Sequence, residues 1–175
     1  KVKTAWNIIA ADGLSNEAAQ ARRVLTERIG NIVNSRQRGT QITLALDNSL
    51  SDDEAYTLAV DAKGVTAKGK TARGVFYALM TLDQLLRGNG ATECADAIPA
   101  LFISDKPRTH VRELMVDPAR TFIPFEDLKA FVPEMARYKL NAMHLHLVDD
   151  QAWRIEIKKY PQLTQQASSR WGQDD

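Results

Sequence analysis

Along the first hundred residues the apolar positions change period several times, and the changes mark out a mixed α and β domain. Residues 2–10, VKTAWNIIA, are mostly apolar with β-branched members and predict a strand. Behind them Ala18, Ala21, Leu25, Ile29 and Ile32 recur at three- and four-residue steps. That draws one apolar stripe on a helix, which Ser15 or Asn16 can cap. Alternation returns over 42–47 and 56–61. There Ile42, Leu44 and Leu46, then Tyr56, Leu58 and Val60, are interleaved with more polar neighbours, predicting two strands with one buried face each. A second helix is predicted over 72–87, where Val75, Leu79, Leu82 and Leu86 share a face and Gly88 acts as a stop signal. A short strand from Ile98 to Ile103 leads to Asp105-Lys106-Pro107. The character of the chain changes there, which places a domain boundary near residue 106.

Beyond the boundary, VRELMVD (111–117) has a strand pattern and Pro124 suits the first turn of a helix, where its missing N–H has no intrahelical partner. Pro133 falls inside the same helical pattern and predicts a kink or short break near Val132. AMHLHLV (142–148) is the next strand, so a helix joins two strands and a right-handed parallel crossover is expected. The first strand delivers Asp117 and Arg120, and the second delivers His144, His146, Asp149 and Asp150. Ionisable side chains therefore gather where two neighbouring parallel strands end, which is where α/β folds place their chemistry.

Composition narrows the classes without choosing a function. A chain that is 44% hydrophobic and 26% charged is an ordinary globular protein, which excludes disordered and collagen-like readings. A net charge of +1, from 23 basic and 22 acidic residues, gives no electrostatic reason to expect a nucleic-acid partner or an anionic membrane. The single cysteine, Cys94, forms no internal disulfide and no metal cluster. No apolar run approaches the roughly 20 residues of a membrane span.

Several patterns invite chemistry, each with a plainer reading beside it. GVTAKGKT, Gly64 to Thr71, satisfies the phosphate-loop pattern G-x-x-x-x-G-K-T between a predicted strand and a predicted helix. Against a nucleotide site, the strand before it alternates like a half-exposed edge, whereas a phosphate-loop strand is usually buried on both faces. Lys63, Lys68 and Lys70 also fit a solvated turn. His144 and His146 project to one side of a strand and suit a metal, or they pack and hydrogen-bond within a barrel. Apart from Asp149 no further ligand is in view, so no metal is expected. Arg120 can clamp an oxygen-rich ligand through its planar fork or simply pair with Asp117. The Asp149-Asp150 pair can orient a histidine or a sugar hydroxyl, or only end a strand. Trp153 and Trp171 can stack on sugar rings or fill a core or rim. The HExxH, GxSxG and dinucleotide G-x-G-x-x-G patterns are absent.

Two longer segments, RELMVDPARTF and YKLNAMHLHLVDDQAWRIEIKKYPQLT, resemble the opening of the catalytic barrel of family 20 glycoside hydrolases, the β-N-acetylhexosaminidases. The family's first barrel strand reads like R-G-L-M-L-D-x-S-R-H-F. Arg112, Leu114, Met115, Asp117, Arg120 and Phe122 match it, while Glu113 replaces the glycine, Ala119 the serine and Thr121 the histidine. Its second strand reads like K-L-N-x-x-H-x-H-L-x-D-D-Q-G-W-R, which Lys139 to Arg154 follow with Ala152 in place of the glycine. Upstream, ARGVFYALMTLDQLL resembles the helix of the small α+β domain that precedes the barrel in this family. The resemblance covers residues 40–165 or so. It sets the phosphate-loop reading aside, because the corresponding turn in the family only leads into the helix.

The resemblance implies an α+β accessory domain over 1–105 and, over 106–175, the strand–helix–strand start of an incomplete (β/α)8 barrel. It implies that Arg120 hydrogen-bonds hydroxyls of the non-reducing-end sugar, and that Asp149 supports a histidine that in turn supports the catalytic acid. Thr121 alters the neighbourhood of Arg120, and Ala152 is expected to affect its loop, since glycine tolerates conformations alanine does not. No cofactor is implied. The family's reaction is retaining and substrate-assisted: the sugar's 2-acetamido oxygen attacks the anomeric carbon, an aspartate orients it, and an adjacent glutamate acts as acid and then base. That Asp-Glu pair belongs to a later strand. The sequence offers only Asp53-Glu54, a poor substitute in a polar turn.

A closed barrel takes eight strand–helix units over roughly 250 residues, far more than 106–175 supplies. The chain is therefore expected to be a fragment, inactive alone, of an enzyme acting on N-acetylhexosamine-terminated glycans. Leu128, Phe131, Val132 and Met135 are expected to lack partners, leading to self-association, packing onto the upstream domain or partial disorder after about residue 160. The alternatives are a nucleotide-binding protein using Gly64–Thr71 and a noncatalytic domain that binds sugar or assembles. Many bacterial members of the family are exported, which points to a periplasmic or extracellular location.

Overall fold

A computed structural model describes residues 6–29, 40–87 and 97–169, and the chain divides into two compact units, Lys1–His110 and Val111–Asp175. The first unit is a sheet with two helices. Its strands are β1 (Trp6–Ala10), β2 (Thr40–Leu46), β3 (Tyr56–Val60), β4 (Gly64–Gly69) and β5 (Leu101–Asp105), in the spatial order β1-β2-β4-β3-β5. β1 runs parallel to β2 and β2 to β4, whereas β3 is antiparallel to both β4 and β5. The helices are α1 (Ser15–Ile29) and α2 (Ala72–Leu86).

Period-two patterning decides which face the helices cover. The register aligns Ile8, Ile42 and Val65 in one row and Leu44, Ala67 and Leu58 in another, and all six side chains are buried. Leu14, Ala21 and Leu25 from α1 and its approach, with Val75, Leu79, Leu82 and Leu86 from α2, complete this core. The opposite face carries Ile9, Thr43, Thr66, Ala59 and Phe102 in a row, with Ile9 and Phe102 exposed. The helix stripe expected to continue to Ile32 passes outside the described residues, as do Gly88, Cys94 and Trp171.

Two sequence expectations are corrected in this unit. Gly64–Thr71 is not a loop: residues 64–69 form β4, paired with β2 on one side and β3 on the other. Its backbone is committed to ladder hydrogen bonds and does not form the open cradle a phosphate needs. Gly64 instead permits close strand approach at φ +149°, since a β-carbon there would lie 2.1 Å from the Gln41 carbonyl oxygen. Lys70 faces Asp53 at 3.6 Å. The fifth strand begins at Leu101 rather than Ile98 and runs through Asp105. Pairing with β3 sets that register, placing Asp105 beside Tyr56, whose hydroxyl donates to Asp105 Oδ2 at 2.9 Å and lies 2.7 Å from Thr81 Oγ1. Burial pushes the Tyr56 hydroxyl pKa upward.

The second unit opens with β6 (Glu113–Val116), α3 (Phe125–Arg137) and β7 (Ala142–Leu145), and β6 and β7 pair in parallel as the strand–helix–strand pattern predicts. A tight hairpin follows, β8 (Val148–Asp149) against β9 (Ala152–Trp153), and then α4 (Gln162–Ala167). The second strand thus stops at Leu145, before His146, instead of running to Val148. Helix α3 continues through Pro133 rather than breaking near Val132. Residues 129–134 are all exposed, so water can serve the carbonyl that proline leaves without a donor.

The end of α3 is a Schellman cap with an unusual residue in it. Lys139 sits at φ 58°, its N–H bonds to the Ala136 carbonyl, and the Leu140 N–H reaches back to Met135. Among the described residues, no helix is long and apolar enough to cross a membrane.

Candidate functional site

Parallel pairing of β6 with β7 brings two strand ends together. Register sets Met115 beside His144 and Val116 beside Leu145, so the next residues, Asp117 and His146, leave the sheet side by side. Backbone bonds carry the pairing past both ends: the His146 N–H donates to the Val116 carbonyl at 2.9 Å, and the Ala119 N–H donates to the His146 carbonyl at 3.1 Å. Ala119, where the family pattern has serine, is 1% exposed, so this corner is closed by a small buried side chain.

Asp117 then turns the chain on itself. Its Oδ1 accepts the Arg120 backbone N–H at 3.0 Å, and its Oδ2 accepts Arg120 Nη1 at 2.7 Å. Arg120 Nη2 donates to Asp149 Oδ2 at 2.5 Å, and His146 Nε2 lies 2.7 Å from that same oxygen. Asp149 Oδ1 accepts the backbone N–H of Asp150 at 2.7 Å. One guanidinium is thus held between two carboxylates, and one of those carboxylates also meets an imidazole.

The electrostatics follow from those donors. The Asp150 N–H, the His146 ring and Arg120 pull the Asp149 carboxyl down to about 2. The Arg120 backbone N–H and side chain hold Asp117 below its ordinary value, and Asp117 and Asp149 in turn raise Arg120. Both carboxylates are therefore ionised acceptors at neutral pH, and Arg120, 53% exposed in its side chain, presents part of its planar fork to solvent. The corner can offer charge-assisted hydrogen bonds to an oxygen-rich ligand.

The structure separates the other candidates. His144 lies on the same side as His146 but faces Glu113, with Nδ1 3.3 Å from Oε1, and the two rings are 6.3 Å apart. Among the described residues, no three His, Cys, Asp or Glu side chains converge as metal ligands. Asp150 contributes its backbone N–H to Asp149. The Trp153 indole N–H donates to the Ile155 carbonyl at 2.7 Å, so its ring is tied to its own segment. Ala152 lies in β9, paired with Asp149, and is 2% exposed. Its backbone is not in the left-handed region, so alanine in place of glycine fits without strain. Asp53 and Glu54 are engaged with Lys70 and Arg73 in the first unit.

Arg154 is a member of this corner that sequence reasoning assigned no role. Its Nε donates to the Pro118 carbonyl at 2.5 Å, its Nη1 to the Ser168 carbonyl at 2.6 Å, and its guanidinium sits 5.0 Å from the Phe122 ring centroid. It ties the turn after β6 to the hairpin and to the end of α4. The signal was its place at the close of the D-D-Q-A-W-R run, one residue past the strand.

Comparison with known proteins settles the family. Residues 1–106 match the model of "Glycosyl hydrolase family 20, domain 2", and residues 110–175 match that of "Glycosyl hydrolase family 20, catalytic domain". The chain belongs to glycosyl hydrolase family 20. A beta-hexosaminidase of Akkermansia muciniphila is 46% identical over 143 residues, covering 78% of this chain and 29% of that protein. One from Porphyromonas gingivalis is 41% identical over 137 residues, covering 75% of this chain and 18% of that protein. The solved N-acetyl-beta-hexosaminidase of Streptomyces plicatus superposes with a TM-score of 0.79 at 30% identity, over 95% of this chain and 34% of that one. The chain thus spans less than a third of the length of these two curated relatives.

Proposed function

We propose that this chain is the opening part of a β-N-acetylhexosaminidase that removes terminal N-acetylhexosamine from glycans by retaining, substrate-assisted hydrolysis. Residues 1–105 serve as the α+β accessory domain, and 106–175 supply the first strand, helix and second strand of a (β/α)8 barrel. Arg120 binds hydroxyls of the non-reducing-end sugar. Asp149 braces the catalytic network by supporting a histidine carried elsewhere in the barrel. The observation that carries this reading is the convergence of Asp117 and Arg120, just past the end of β6, with Asp149 of the hairpin that follows β7, Arg120 and Asp149 sharing a 2.5 Å hydrogen bond. A fixed guanidinium fork beside ionised carboxylates suits a polyhydroxylated ring, which both donates and accepts hydrogen bonds.

Hydrolysis needs the adjacent Asp-Glu pair, and no such pair lies at this corner. The 175-residue polypeptide is therefore expected to leave a chromogenic N-acetylglucosaminide intact. The parent reading frame beyond Asp175 is expected to encode a His-Gly-x-Asp-Glu type strand, and its full product to hydrolyse that substrate. In that product Arg120→Ala is expected to lower kcat/KM about 100-fold, roughly 2.7 kcal/mol of transition-state binding. Turnover by the pure 175-residue chain, or an Arg120→Ala product as active as its parent, overturns the reading.

A further inference from the structure

We propose that His146 is a positioning residue of this site: it donates its Nε2–H to Asp149 Oδ2 and so fixes the carboxylate against which Arg120 is set. The inference rests on reading Arg120 and Asp149 as sugar-side residues, and it adds a third side chain to them. Its basis is geometric. The His146 backbone is pinned at both its N–H and its carbonyl to the segment that leaves β6, so the ring starts from a fixed point. The ring is 30% exposed and meets Asp149 at 2.7 Å. An ionised carboxylate only accepts hydrogen bonds, so the proton in this contact belongs to the histidine and its nitrogen is Nε2.

The division of donors explains why the ring matters. Oδ1 of Asp149 is taken by the Asp150 N–H of its own turn, which holds the carboxylate to the hairpin but not to the strand ends. Oδ2 receives both Arg120 and His146. Of these, Arg120 is more exposed and is also drawn toward Asp117, whereas His146 is rooted in the backbone beside β6. His146 is thus a backbone-rooted link from the strand ends to the hairpin carboxylate itself and from there to the guanidinium, whereas Arg154 ties the hairpin through backbone carbonyls. His144 provides an internal contrast. It lies on the same side of β7 and pairs with Glu113.

Chain labelled with nitrogen-15 histidine and carbon-13 aspartate tests the proposal without any need for turnover. At neutral pH the His146 ring is expected to show its Nε2 as the protonated nitrogen. The Asp149 carboxyl midpoint is expected to rise by about one pH unit in His146→Phe, as a lost donor destabilises the ionised form. It is expected to return most of the way in His146→Gln, whose amide nitrogen falls near the place of Nε2, and to stay put in His144→Phe. Arg120, Asp117 and Asp150, the charged groups facing this carboxylate, are unchanged in all three variants. In the full product of the reading frame, His146→Phe is expected to cut kcat/KM about tenfold or more, with glutamine restoring most of it.

An Nδ1–H tautomer at His146, or an unmoved Asp149 midpoint in His146→Phe, overturns the inference. The tautomer is read in the unsubstituted chain, so it decides the matter even where a variant does not fold. Failure of the sugar-site reading shows separately, as full activity in Arg120→Ala with the histidine and carboxylate signals as expected.

Discussion

The two units of this chain keep their shape by different means. In the first, Ile42, Leu44, Leu58, Val75, Leu79, Leu82 and Leu86 are each at most 1% exposed, and two helices cover one face of a sheet. Among the described residues of the second, the buried apolar side chains are Val116, Ala119, Ala152 and, against the sequence expectation that it would lack partners, Met135, while Val111, Met115, Phe122, Phe125, Val132 and Tyr138 are all more than 45% exposed. Backbone bonds between strand ends, the Asp117–Arg120–Asp149–His146 cluster and the reach of Arg154 give its site definition. An apolar core stabilises in proportion to buried area, whereas exposed charge pairs contribute little net stability but set geometry. The first unit is therefore built around an apolar core, and the second gathers the candidate site while leaving large apolar side chains exposed.

The widest gap between the units is expected in core truncation. Leu79→Ala should cost about 3 kcal/mol, against at most about 1 kcal/mol for Phe131→Ala on the exposed side of α3. Urea unfolding followed separately in each unit reads the difference, and equal losses would erase the contrast. Next in size is Gly74→Ala. Its new β-carbon would lie 2.4 Å from the Ala55 carbonyl oxygen, where backbone must shift, so a loss of about 2 kcal/mol is expected in the same assay.

Lys139→Gly works the other way. It relieves a left-handed residue at the end of α3 and should stabilise the second unit by about 1 kcal/mol, seen as a higher midpoint for that unit alone. Smallest in stability is the response to acid. The folded pKa of Asp149 is depressed, so its contribution is present above the unfolded carboxylate value and disappears as pH falls through about 2. Carbon-13 titration should therefore show Asp149 still ionised at about pH 3, where an unperturbed aspartate, pKa about 3.9, is mostly protonated. A midpoint near the ordinary value would mean the cluster is not closed in solution.

How much was legible in sequence differs between particular residues for physical reasons. The α2 stripe of Val75, Leu79, Leu82 and Leu86 was readable because helix period and burial coincide, and all four are buried. β4 was hidden under a phosphate-loop pattern, since Gly64, Gly69 and Lys70 satisfy a motif whose meaning depends on whether the backbone is open or already paired. The proline in α3 signalled a break that an exposed helix does not need. Arg120 and Asp149 were named from their place in the two strand motifs. The contacts of His146 and Arg154 were not legible, because a hydrogen bond to a shared oxygen or to a distant carbonyl leaves no periodic trace in sequence.

The sequence by itself determined most of the strands and helices, though not β4, β8, β9 or α4, and the family to which they belong. Both are written in local periodicity and in residues set at fixed spacings along one chain. Tertiary structure decided the partnerships: that residues 64–69 pair with strands on both sides, that β5 takes its register from Tyr56, and that Arg120 and His146 meet on one oxygen of Asp149. Such contacts join residues as many as 49 positions apart, and their distances are fixed only when parallel and antiparallel pairing sets one strand end against another.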